Sequence, residues 1–169
     1  MKTSLPAASA LQNLPNDYLD SYTATLNASD ISIEQVGRAF FTASPAWVDR
    51  LLVLRNQLVA FVGLKVPGAG TKEEVLQNFK CEIGESVALF KVISKTENEV
   101  IFGENDKHLD FSVSLFLDRQ SNMLIVSTLV KIHNLLGRLY MAVVKPFHMV
   151  IASTITKRII YEITQDRNQ

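Results

Sequence analysis

Four stretches in the second half of the chain carry strand-like apolar patterning: Val87 to Ser94, Glu99 to Glu104, His108 to Asp118 and Met123 to His133, divided by charged or asparagine-containing turns. They predict consecutive antiparallel strands. The last two set their own register. With Arg119 to Asn122 as the turn, Leu109 opposes Ile132, Phe111 opposes Val130, Val113 opposes Thr128, Leu115 opposes Val126 and Leu117 opposes Leu124, an almost wholly apolar face. The other face pairs Asp110 with Lys131 and Ser114 with Ser127, and an opposite-charge cross-strand pair contributes about 0.2–1 kcal/mol. A one-residue slip would turn every apolar side chain to the wrong face, whereas a slip of two would keep the faces.

Upstream, Asp17 to Leu26 alternates as a first strand, with Tyr18, Asp20, Tyr22 and Ala24 on one side. Ser32 and Gln35 have capping-box spacing and predict a short helix over about Ile33 to Phe41. Ser44 and Pro45 start a second helix, along which Trp47, Leu51, Leu54, Leu58 and Phe61 draw one stripe before Gly63 stops it. Val66 to Thr71 reads as a loop, and Lys72 to Glu82 as a short helical turn or strand. From Asn134, which can cap it, the period turns helical. Leu136, Tyr140, Val143, Phe147, Val150 and Thr154 share a stripe, and Pro146 inside this helix predicts a kink.

The chain has 169 residues, the size of one domain, with an N-terminal arm over 1–16, a domain over 17–162 and a tail over 163–169. Lysine plus arginine and aspartate plus glutamate number 17 each, so no general positive field favours nucleic acid. Cys81 is the one cysteine, which asks for no oxidising compartment and reads as a small hydrophobe. Met1 to Leu14, with one lysine and no long apolar run, does not read as a secretory signal. The apolar stretch Leu139 to Ile160 is broken by Lys145, Pro146, His148 and Lys157, which argues for an amphipathic helix and against a membrane span. A cytoplasmic protein, monomer or homodimer, is the expectation.

Strand, two short helices, a run of antiparallel strands and a long last helix form the element order of an α+β helix-grip fold, a curved sheet wrapped around the C-terminal helix. The stretches Phe40-Phe41-Thr42-Ala43-Ser44-Pro45-Ala46-Trp47-Val48, Leu54-Arg55-Asn56, Gly103 to Phe111, His133 to Tyr140 and Pro146-Phe147-His148 resemble an uncharacterised bacterial family of unknown function in the START-like (SRPBCC) superfamily. The resemblance spans about residues 17–162. It implies a fold that supports a cavity, in a superfamily ranging from lipid carriers to polyketide cyclases, and it assigns no catalytic residue.

The chemistry must then come from these residues themselves. His108 and His133 oppose each other in the register above, beside Asp106 and Asp110, and are weak candidates for a metal pair, set against a plain surface pair. His148 lies about 21 Å along the helix from His133 and cannot join them. It belongs either to the polar flank of the helix or, through the kink, to a cavity. Such a cavity would be lined by Phe102, Phe111, Val113, Val130, Tyr140, Val143 and Phe147, with Thr128, Tyr140 and Arg55 orienting a ligand; a filled core is the competing reading. No glycine-rich phosphate loop or nucleophile elbow occurs, and no cofactor is implied. Three functions compete: non-catalytic binding of a small apolar or amphipathic molecule, a cyclase- or dehydratase-like enzyme using Tyr140 or His148, and an interaction module with an outer patch of Phe116, Ile125 and Leu129.

Overall fold

The computed structural model describes residues 1–28, 30–45 and 72–166. The helix expected from Ser44-Pro45, its stripe, the Gly63 stop, the following loop and Arg55 lie outside the described residues. The elements are β1 (Lys2–Thr3), β2 (Tyr18–Thr25), α1 (Ile33–Thr42), α2 (Lys72–Asn78), β3 (Ser86–Val87), β4 (Phe90–Lys95), β5 (Glu99–Asn105), β6 (Leu109–Asp118), β7 (Met123–Ile132) and α3 (Leu135–Asp166). Among the described residues seven strands form one antiparallel sheet in the order β1-β2-β7-β6-β5-β4-β3. With α1 and the long α3 against one face, this is the α+β helix-grip architecture.

Local chemistry sets the element ends. Ser32 Oγ accepts from the Gln35 amide at 3.3 Å, and the Ser32 amide donates to Gln35 Oε1 at 2.9 Å, so both halves of the capping box are made. Asn134 Oδ1 accepts from the Gly137 amide at 3.1 Å and caps α3. The helix then runs unbroken through Pro146 to Asp166. The β6–β7 register is the expected one from Leu109↔Ile132 to Asp118↔Met123. Asn122, in the intervening turn, takes the left-handed φ of 55° that asparagine tolerates well.

Four expectations need correction. Val87 to Ser94 is not one strand: it breaks into β3 and β4 around Ala88, whose φ of 55° turns the chain. The first sixteen residues do not stand off as an arm. Lys2–Thr3 pairs with β2, and Leu11 is buried against Ile101 and Leu129 on the outer sheet face. That covers Leu129, so the outer patch expected with Phe116 and Ile125 is partly closed. Finally, α3 turns a different face to the sheet. Met141, Ala152, Ile155, Ile159 and Ile163 are buried, while Val143 and Phe147 are 64 % and 53 % exposed.

The main core lies between the inner sheet face and the two helices. Val100, Phe102, Val113, Leu115, Leu117, Leu124 and Val126 from the strands meet Val36, Phe40 and Phe41 of α1 and Ile155, Ile159, Ile160 and Ile163 of α3. Cys81 is buried here, and desolvation pushes its thiol up to about 11, which leaves it an unreactive neutral group. The first turn of α3 sits on the β5–β6 turn so closely that a Cβ at Gly137 would overlap the His108 carbonyl. Gly137→Ala should therefore lower the unfolding free energy by about 1–3 kcal/mol, measured by urea titration. A neutral result would mean that the helix start shifts at no cost.

Candidate functional site

The alternation of β2 sends Tyr18, Asp20 and Tyr22 to the inner face, where Thr128 of β7 is the cross-strand partner of Asp20. α3 passes over them and lowers His148 into the group. Asp20, 5 % exposed, is an acid at a position where neighbouring strands supply apolar side chains. Its Oδ2 accepts from the Tyr18 hydroxyl at 2.6 Å, and its Oδ1 lies 3.2 Å from His148 Nε2. The Tyr18 ring meets the imidazole edge-on with centroids 5.8 Å apart, and Lys145 Nζ stands 5.3 Å from the Tyr18 ring centre.

Burial by itself would raise the Asp20 carboxyl. Hydrogen bonds from His148 and Tyr18, with the charge of His148 and a further bond from Tyr22, outweigh it and hold the group below its ordinary range. The tyrosines shift the other way. Tyr18 is raised by desolvation first and then by the adjacent Asp20 carboxylate, and Tyr22 is raised by the same two causes. Together they form a buried anion whose ligands are all hydrogen-bond donors.

The sign of the acid response follows from the lowered carboxyl. Ionised Asp20 contributes stability above its unfolded value near 3.8, and that contribution disappears as the pH falls through the lower folded value. The difference in unfolding free energy between the wild type and Asp20→Asn should therefore shrink as urea titrations move below pH 3.8. A difference that stays constant with pH would show that Asp20 is not held ionised by these partners.

The structure brings together only part of what the sequence nominates. Thr128 is buried at 7 % exposure beside Asp20, and His148 enters from the helix. Val130 and Tyr140 pack in a neighbouring cluster with Leu109 and Met141. Phe102 is wholly buried among phenylalanine rings, and Val113 and Phe111 pack with the same core, so these positions are filled by protein side chains. Val143 and Phe147 face outward, because the packed stripe of α3 lies on its opposite side. Asp20, Tyr18 and Tyr22 are the members that residue-by-residue reading passes over. The signal for them is an acid flanked at i−2 and i+2 by tyrosines on one strand face.

The two histidines proposed as a metal pair stay opposed in the register and bond to different partners. The His133 amide does donate to the His108 carbonyl at 2.9 Å, but His133 Nε2 turns to Asp110 Oδ2 at 2.9 Å while His108 Nδ1 lies 3.0 Å from Asn134 Nδ2. Among the described residues no group of three or more His, Cys, Asp or Glu side chains is placed to hold a metal ion.

Residues 15–155 match a family described as a protein of unknown function, DUF2867. The chain belongs to DUF2867. The matched stretch contains every member of the Asp20 cluster. Comparison with curated proteins and with solved structures gives no match.

Proposed function

We propose that this DUF2867 protein is a START-like (SRPBCC) binding protein that holds a small apolar or amphipathic molecule, without covalent chemistry, between the β2 side of the sheet and α3. The observation that carries the reading is the buried Asp20. An ion placed under a helix costs several kcal/mol of desolvation, and apolar residues of similar size would usually stabilise the fold as well or better. A recognition role accounts for the cost, since a ligand hydroxyl or amine can join the donors around the carboxylate while its hydrocarbon part lies along α3. Thr128 adds a second polar contact there.

The test is native mass spectrometry of the protein as purified, followed by titration with dodecylamine and dodecanol, monitored by amide chemical shifts. A retained small molecule, or shifts centred on residues 18–22, 128 and 148 that weaken in Asp20→Asn, is the expected result. A bare mass together with no localised shifts would overturn the reading.

The contact between Asp20 and His148 supports a second reading, a cyclase- or dehydratase-like enzyme. With Nε2 held by the carboxylate, Nδ1 is the imidazole nitrogen left to accept a proton. In that case His148→Gln should co-purify with a ligand that differs from the one in the wild type, in mass where water is lost and in chromatographic retention where ring closure alone occurs, as substrate differs from product. Identical ligands in both proteins would exclude it.

A further inference from the structure

α3 has a second face, opposite the one that packs on the sheet. Leu135, Leu139, Val143, Phe147 and Val150 follow one another at spacings of four, four, four and three, and each is more than half exposed, from 53 % at Phe147 to 70 % at Leu135. At a rise of 1.5 Å per residue they make a ridge about 22 Å long. A contiguous ridge of large apolar side chains in water marks a binding surface far more often than scattered single residues do.

Charge says what covers it. The chain as a whole carries 17 basic and 17 acidic residues, yet from Leu135 to Tyr161 there are four basic residues, Arg138, Lys145, Lys157 and Arg158, and no acid. Lys157 continues the ridge two turns beyond Val150, and Arg158 beside it is exposed and pairs with Glu162 at 3.6 Å. A second copy of the chain would bring the same positive charge against itself. A nucleic acid would meet an apolar ridge with nothing on it to read. Apolar side chains that end on a lysine, with no acid between Leu135 and Tyr161, match the headgroup–acyl boundary of an anionic lipid bilayer.

We infer that the exposed face of α3 docks this protein onto anionic membrane surfaces, lying in the interface with Val143 and Phe147 among the first acyl carbons. The helix does not span. By length and composition Leu135–Gln165 is apolar enough to cross a membrane, but its second half is built into the core through Ile155, Ile159, Ile160 and Ile163. This inference does not depend on the ligand reading, because it uses the opposite side of the helix.

The experiment is flotation of the full chain with vesicles of phosphatidylcholine, alone or mixed with phosphatidylserine, at low and high salt. The wild type should float with the mixed vesicles, less with phosphatidylcholine alone, and less at high salt. The double variant Val143→Ser, Phe147→Ser removes buried hydrocarbon and should weaken binding about a hundredfold. Lys157→Glu should weaken it about tenfold on the mixed vesicles only. Circular dichroism and a urea midpoint check that each variant folds. If the serine pair does not fold, Lys157→Glu with the salt series decides alone. No flotation of the wild type, binding indifferent to phosphatidylserine, or a solution dimer that the serine pair dissociates would each overturn the inference, the last by giving the ridge to a second copy.

Discussion

Phe102→Ala should lower the unfolding free energy by about 3–5 kcal/mol. The ring has no exposed surface. It stacks on Phe40 at 5.7 Å with planes 11° apart, meets Phe41 edge-on at 5.2 Å, and lies 6.5 Å from Phe79. Phe40 and Phe41 in turn contact Phe90, which contacts Phe111. Truncation therefore leaves a hole bordered by rigid rings that cannot collapse into it, and it also removes the ring–ring contacts, each worth about 0.5–1.5 kcal/mol beyond burial. Guanidinium titration with an unchanged slope is the measurement. A loss below about 1 kcal/mol would mean that this cluster is loosely packed and has room to rearrange.

Glu99→Ala should cost about 3 kcal/mol and release the N-terminal residues from the sheet. Glu99 is 5 % exposed on the outer face. Its Oε1 accepts from Ser9 and Ser114 hydroxyls, both at 2.5 Å, and its Oε2 from the Ala10 amide at 3.0 Å. Removing the carboxylate orphans three donors at once, two of them on the segment that carries Leu11 to Ile101 and Leu129. Faster amide exchange and protease cleavage confined to residues 5–12 should accompany the loss. Glu99→Gln, which keeps acceptor capacity on one oxygen, should lose less. If cleavage in Glu99→Ala stays as slow as in the wild type, Leu11 burial alone holds the segment.

What the residues disclose in advance depends on how many independent constraints bear on each element. The β6–β7 hairpin is constrained twice, by an apolar face and by paired polar positions, and its register is the expected one. Even there, partners differ from the pairing. Lys131 bonds Asp17 at 3.1 Å and Asp110 bonds His133, because β2 and the start of α3 bring alternatives within reach. α3 is constrained less, being apolar nearly all round. The stripe through Val143 and Phe147 is as greasy as the one through Met141 and Ile155, so periodicity alone does not decide which meets the sheet. The turn at Ala88 contains no glycine, asparagine or proline to announce it. The Asp20 cluster joins residues more than a hundred positions apart, and no local pattern reports a contact of that range.

That separation also bears on the order in which the molecule assembles. β4 to β7 are successive hairpins, each closed by a short turn, whereas β2 reaches β7 only by closing a loop from Thr25 to Met123. Short closures come early and long ones late, since the entropy of the loop must be met before its contacts repay it. Pulse-labelling hydrogen exchange during refolding should find β5 to β7 amides protected before those of β2, and simultaneous protection would count against this order. Because Asp20 stands on β2, a chain stalled at the meander would have most of its sheet and none of its buried anion, and any ligand held there would reward completion of the last step.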